Sequence, residues 1–260
     1  MKKLGLALGS GGSRGIAHIG FLKALEEADI KPDFIAGSSM GSVVGACYAG
    51  GMTPEEMINI ARKLKIMNLI DISLLPLKNG GIFRSKRFKE VIRKVLPINN
   101  YENLKIPFCC VATDLDEGKT VTLDSGELYL NVAASSSMPI IFKPVVLDGK
   151  YLVDGGVLCR VPIKQVRDMG ADVVVGIDVL GQEKKGDEKY TTLGVTFRYI
   201  DIIDSEIAKF HKRKYKPDLY LEPQMCGMSQ YNLKDVELAY EAGYKIGKEN
   251  IEKIKALLKD

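Results

Sequence analysis

Phe34-Ile35-Ala36-Gly37-Ser38-Ser39-Met40-Gly41, continued by Ser42-Val43-Val44-Gly45-Ala46-Cys47-Tyr48-Ala49, is the stretch from which the fold is read. Phe34, Ile35 and Ala36 make a short buried strand, and mostly small residues then make a tight turn. Ser42 to Ala49 reads as a small-residue helix, which Gly50-Gly51 ends. Within the turn, Gly37-x-Ser39-x-Gly41 sets a serine between strand and helix. A nucleophilic hydroxyl has to stand on such a sharp, strained turn to be exposed, and small neighbours let the flanking backbones pass closely. The helix N-terminus behind it favours a developing negative charge.

The same strand–loop–helix order precedes this stretch. Leu4-Gly5-Leu6-Ala7-Leu8 reads as a strand, Gly9 to Gly15 as a Gly-rich loop, and Arg14 to Ala28 as a helix with Ile16, Ile19, Leu22 and Leu25 at helical spacing. Beyond it, Thr53-Pro54-Glu55-Glu56 opens another helix. Phe108 to Thr113 and Lys119 to Leu123 read as strands around a turn at Glu117-Gly118. Val145-Val146-Leu147 and Tyr151-Leu152-Val153 read as a hairpin with a type I′ turn at Asp148-Gly149. Asp172 to Asp178 is a strongly β-branched strand. Residues 192–213 and 234–258 read as long amphipathic helices flanking a short strand at Leu219-Tyr220-Leu221. Residues 64–83, rich in Leu, Ile and Met without a clear period, are a candidate apolar flap, and 182–189 a polar loop. Strands alternate with helices throughout, without repeats or linker. The expectation is a single α/β domain over residues 1–260 with a central, largely parallel sheet.

Composition bounds the function. Of 260 residues, 46% are apolar and 27% charged, ordinary for a chain with a sizeable core. A net charge of +4 is too small to argue for nucleic acid; it is compatible with loose peripheral attraction to an anionic lipid surface. Five cysteines, an odd count without C-x-x-C spacing, speak against a disulfide framework and a zinc site and suit reduced thiols. The apolar stretch after Met1-Lys2-Lys3 is too short for a secretion signal, and no run of 18 apolar residues exists. These features lead to an expectation of a cytoplasmic protein.

A serine nucleophile needs a base. His18 falls within the first predicted helix, and His211 lies in the basic helix end Lys209 to Lys214. A Ser-His-Asp enzyme of the α/β-hydrolase kind needs several strands before the elbow, and only one precedes it here, so a carboxylate becomes the better candidate. Asp154-Gly155-Gly156 follows a strand, and its glycines allow a tight turn that holds a carboxylate at the crevice; the same tripeptide also suits an ordinary hairpin turn. Three readings compete for the Gly-rich loop. A Walker loop lacks its Gly-Lys-Ser/Thr. A dinucleotide fingerprint has Ser10 in place of its first Gly, and Gly37 where an acid is needed. As an oxyanion hole, the loop would turn the amides of Gly11 and Gly12 toward Ser39 Oγ, with Arg14 adding positive charge.

The order of these pieces resembles the patatin-like phospholipases, most closely their short bacterial members. Arg14-Gly15-Ile16-Ala17-His18-Ile19-Gly20 is similar to their first block. Ala134-Ser135 through Pro139, Phe142 and Pro144 is similar to another, and Ala171-Asp172 and Pro217-Asp218-Leu219 to later landmarks. The resemblance runs over roughly residues 3–250. It implies a three-layer α/β/α fold and a serine esterase acting on lipids or other carboxylic esters. The catalytic pair would be Ser39 and Asp154, and the oxyanion hole the backbone around Gly11, Gly12, Ser13 and Arg14, within the motif glycines Gly37, Gly41, Gly155 and Gly156. No metal and no cofactor enters that chemistry. Two positions depart from the pattern: Ser10 where a Gly opens the loop, and Arg160 where an Asn is common. The alternatives are a patatin-like regulatory protein with weak hydrolysis and a nucleotide-binding α/β protein.

Overall fold

Short apolar strands bounded by glycines leave little choice but a sheet covered on both faces. The computed structural model describes residues 2–63, 85–181, 192–225, 227–228, 230 and 234–259. The candidate flap at 64–83, the polar loop at 182–189 and Cys226 lie outside the described residues. The parallel part of the sheet is β1 (Leu4–Leu8), β2 (Phe34–Ser38), β3 (Phe108–Asp114), β7 (Val173–Ile177) and β8 (Leu219–Leu221). Antiparallel β4 (Lys119–Leu123), β5 (Val145–Leu147) and β6 (Lys150–Asp154) complete one edge. The order is β5-β6-β3-β2-β1-β7-β8, with β4 paired to β3. In the β5–β6 hairpin Asp148 and Gly149 have φ of 49° and 79°, both positive as a type I′ turn requires.

Side chains alternate across the sheet, so its central parallel strands feed a core on each face. Leu4, Leu6 and Leu8 join Ile35, Val175 and Ile177 on one face, while Ala7, Ala36, Cys109 and Val174 point to the other. The first face is covered by α1 (Ala17–Glu27), α2 (Met40–Ala49), α3 (Pro54–Lys63), α4 (Ser85–Val95), α5 (Leu128–Ser135) and α8 (Val236–Leu258). The second receives Ile163 and Val166 of α6 (Ile163–Asp168) and Tyr215 of α7 (Thr192–Tyr215). The result is a three-layer α/β/α fold with a mostly parallel sheet.

Local chemistry explains the ends of these elements. α3 starts on a reciprocal cap: Glu56 N–H donates to Thr53 Oγ1 at 3.2 Å, and Thr53 N–H to Glu56 Oε2 at 2.8 Å. The helix expected from Arg14 begins later. Gly12–Ile16 form a tighter 3₁₀ turn, in which Arg14 N–H reaches back three residues to Gly11 O, and α1 begins at Ala17. α2 begins at Met40, two residues earlier than expected, and α7 runs on to Tyr215, where Lys216 turns to φ 40°. α8 crosses α1 backbone to backbone; a Cβ on Gly243 would fall on the Ala17 carbonyl oxygen. No described helix is long and apolar enough to cross a membrane.

Candidate active site

The register of β3 brings the two candidate catalytic residues together. Along one edge β3 pairs with β4 from Cys110 to Asp114. The opposite edge is shared: β2 occupies it up to Ser38 opposite Val111, and β6 occupies it from Asp154 opposite Ala112. β2 runs parallel to β3 and β6 antiparallel, so their C-terminal ends meet head-on at that point. Ser39 is the first residue beyond β2 and Asp154 the last of β6. Ser39 Oγ donates to Asp154 Oδ2 at 2.6 Å, a short charge-assisted bond.

Ser39 has φ 52° and ψ −123°, a conformation that a non-glycine residue holds only when its surroundings impose it. Three serines impose it. Ser135 Oγ, at the end of α5, accepts the Ser39 N–H at 3.1 Å; Ser42 Oγ and Ser136 Oγ donate to the Ser39 carbonyl at 2.6 and 3.1 Å. The motif glycines are fixed by close approach. A Cβ on Gly41 would fall on the Leu8 carbonyl oxygen, and one on Gly155 on the Val111 carbonyl oxygen. A Cβ on Gly37 would lie 2.5 Å from Ser42 Cα. Gly156 N–H donates to Asp154 Oδ1 at 2.8 Å, which leaves Oδ2 aimed at Ser39.

Asp154 is buried, and that burial pushes its carboxyl up to about 6 while the bonds from Ser39 and Gly156 pull it down. A base must be ionised to accept the Ser39 proton. Activity on an uncharged ester should therefore be full well above pH 6 and fall as pH drops through about 6. Asp204, at the same pocket, is pushed by burial to about 7, with Arg160 opposing. The kcat/KM profile of Asp204→Asn separates the two: a limb still near 6 belongs to Asp154, and a limb that vanishes belongs to Asp204.

The histidines play other parts. His18 is fully buried, and its Nε2–H donates to the Gly9 carbonyl at 2.8 Å, bracing the Gly-rich loop from beneath. Burial lowers its pKa to about 4, so it is neutral at ordinary pH. His211 packs beside Phe210 and Tyr215 on α7.

Ser39 and Asp154 open into a cavity of about 260 Å³. Gly11, Gly12, Ser13 and Gly156 line it together with Ser39 and Asp154. One wall is apolar, with Met40 and Val43 of α2, Phe88 and Ile92 of α4, and Phe142, whose ring stacks on Phe88 at 4.3 Å. Another carries Ile200, Asp201 and Asp204 of α7 with Gln230. Two of the four loop amides are already engaged: Ser13 N–H donates to the Gln230 carbonyl at 3.0 Å, and Arg14 N–H to Gly11 O at 3.1 Å. The amides of Gly11 and Gly12 carry no such bond among the described residues. The Arg14 guanidinium donates to the Met228 carbonyl through Nε and Nη2 at 2.9 and 2.6 Å.

Sequence reasoning missed Ser42, Ser135 and Ser136 as supports of the elbow, and the role of Arg160. The Arg160 carbonyl accepts the Ser10 N–H at 2.9 Å, and its buried guanidinium bonds Asp204 at 2.7 Å and Asp178 at 3.4 Å. Arg160 thus ties the Gly-rich loop to α7 and to the end of β7. Ser10 is buried against Gly156, where a Cβ would lie 2.8 Å from Ser10 Oγ.

Known proteins are similar to this chain in sequence or in fold. A family model for patatin-like phospholipases matches residues 6–167. An uncharacterised NTE family protein of Mycobacterium bovis is 38% identical over 184 residues, which cover 70% of this chain and 50% of that protein. Lysophospholipase NTE1 of Coccidioides immitis is 27% identical over 284 residues, covering 98% of this chain and 18% of that protein. The chain thus spans half the length or less of these curated relatives. The crystal structure of VipD from Legionella pneumophila superposes with a TM-score of 0.62 at 13% identity, over 97% of this chain and 67% of that one. At that identity the likeness is one of fold.

Proposed function

The chain belongs to the patatin-like phospholipase family, and from that premise we propose that it is a serine acyl hydrolase that cleaves carboxylic esters of lipids through an acyl-Ser39 intermediate. The observation that carries this reading is the 2.6 Å bond from Ser39 Oγ to Asp154 Oδ2 at the mouth of an apolar cavity. As Oγ attacks the ester carbonyl, Asp154 takes its proton, and the carbonyl oxygen becomes an oxyanion. The Gly11 and Gly12 amides are its natural donors, each worth about 3–4 kcal/mol at such a site. Collapse of the tetrahedral intermediate expels the alcohol, which takes the proton back from Asp154. Water, deprotonated by the same carboxylate, then attacks acyl-Ser39; collapse expels Ser39 Oγ, which takes that proton from Asp154, and releases the fatty acid.

The apolar wall of Met40, Val43, Phe88, Ile92 and Phe142 suits the acyl chain, and the α7 wall with Asp201, Asp204 and Gln230 the leaving alcohol. Residues 1–260 act in this reading as one catalytic domain. The Gly-rich loop lines the Ser39 cavity, which favours the oxyanion role over a nucleotide site. The test is release of fatty acid from a series of lysophospholipids, diacyl phospholipids, acylglycerols and short-chain esters, quantified by mass spectrometry. Ester cleavage that rises with acyl length across the series supports the reading. No turnover of any ester by folded protein would contradict it.

A further inference from the structure

α7 carries an exposed apolar stripe that the catalytic reading leaves unused. Val195, Tyr199, Ile202, Ile203 and Phe210 are all exposed, Tyr199 by 66% and Ile203 by 55%. At 3.6 residues per turn they fall within one face about 100° wide. Exposed Lys209, Arg213 and Lys214 border or enter this face. Glu206 shares it and is paired with Lys209 at 2.7 Å. The Lys214 ammonium lies over the Phe210 ring, 5.6 Å from its centroid. Asp201 and Asp204 fall on the opposite side of the helix, and Asp204 is buried against Arg160. Such a helix, exposing apolar residues on one side with Lys209 and Lys214 flanking them, has the pattern of one that lies in the plane of a membrane surface.

We propose that this face of α7 docks the protein on an anionic lipid surface. The occupant is a bilayer rather than a protein because exposed Lys209 and Lys214 flank the apolar stripe and Arg213 adds a cation at its C-terminal end, a charge pattern complementary to lipid phosphates. The whole chain, at +4, is attracted to such a surface as well. The choice of lipid over protein also rests on the hydrolase reading above. Docking has a consequence for the site: Ile200, Asp201 and Asp204, on the other side of the same helical turns, line the Ser39 cavity. The bound bilayer would thus lie about one helix diameter, roughly 10–12 Å, from that wall.

The experiment is co-sedimentation of the full chain with phosphatidylcholine vesicles, with and without phosphatidylglycerol. The wild type is compared with Ile202→Ser/Ile203→Ser and with Lys209→Gln/Arg213→Gln/Lys214→Gln. Both variants should bind anionic vesicles at least about tenfold more weakly and lose hydrolysis of vesicle lipid in proportion. Their turnover of a soluble short-chain ester should not change. If the serine variant does not fold, the glutamine variant, altered only at exposed side chains, gives the answer alone. Unchanged vesicle binding by the folded variants overturns the proposal. So does a wild-type dimer in sedimentation velocity that Ile202→Ser/Ile203→Ser dissociates, because the stripe would then belong to a second copy. Wild-type protein that binds vesicles but hydrolyses no ester leaves the docking surface standing and refutes the hydrolase reading instead.

Discussion

Ser39→Ala should reduce ester turnover to the uncatalysed background while the protein keeps its fold. Loss of the nucleophile in a serine protease costs on the order of 10⁶ in kcat, and a dyad without its serine has no other group to form the acyl intermediate. The backbone of the elbow is held through the Ser39 N–H and carbonyl, by Ser135, Ser136 and Ser42. None of those bonds uses the Ser39 hydroxyl. Far-UV circular dichroism and the melting transition should therefore stay close to wild type. Asp154 Oδ2 loses its donor, so its pKa should rise further above about 6. Measured turnover by a folded Ser39→Ala protein would place the chemistry elsewhere.

Asp154→Asn should lose turnover by about a thousandfold or more, roughly 4 kcal/mol of transition-state stabilisation, because base catalysis fails in both half-reactions. The amide keeps the shape. Its oxygen can still accept from Gly156 N–H, but its nitrogen now faces Ser39 Oγ as a donor. The same substitution should not cost stability. Burial raises the folded-state pKa of Asp154 to about 6, above the unfolded value near 3.9. The folded protein therefore holds the proton more tightly. This stability is present below the unfolded pKa, is lost as pH rises through about 6, and is absent at pH 8. A neutral Asn escapes that penalty, on the order of 2–3 kcal/mol at pH 8. Urea titrations at pH 8 should place Asp154→Asn at or above wild type. A clear destabilisation there would mean that the ionised carboxylate holds the fold together, a structural role.

The parts of this protein written in local sequence were legible. The strand–turn–helix at Ser39 and the type I′ hairpin at Asp148-Gly149 follow from small residues and positive φ within a few positions. The helical placement of both histidines was also legible from local setting. His18 holds the Gly9 carbonyl, and His211 sits beside Phe210 and Tyr215. Pairings between distant segments were not legible. Nothing near Asp154 says that β6 runs antiparallel to β3 and meets β2 end to end, although that register is what brings its carboxylate to Ser39. Ser135 and Ser136 could be noticed as part of a block, but their bonds to a residue almost a hundred positions away could not. Arg160 looked like a departure from a pattern, and its partners Asp178 and Asp204 come from separate elements. Ser13 and Arg14 were expected around the oxyanion hole from the family resemblance. Their amides are taken by Gln230 and by the 3₁₀ turn, and only the folded chain could reveal that Gln230 lies there.

The central claim is that Asp154 activates Ser39. Labelling by an uncharged fluorophosphonate, followed by peptide mapping, tests it most directly, because the probe reports the acylation step alone and needs no knowledge of the natural ester. Wild-type protein should be phosphonylated on the peptide that carries Ser39. The second-order rate should fall as pH drops through about 6, and by about a thousandfold at pH 8 in Asp154→Asn. Labelling of Asp154→Asn at close to the wild-type rate, or labelling of wild type at a residue other than Ser39, would contradict the account.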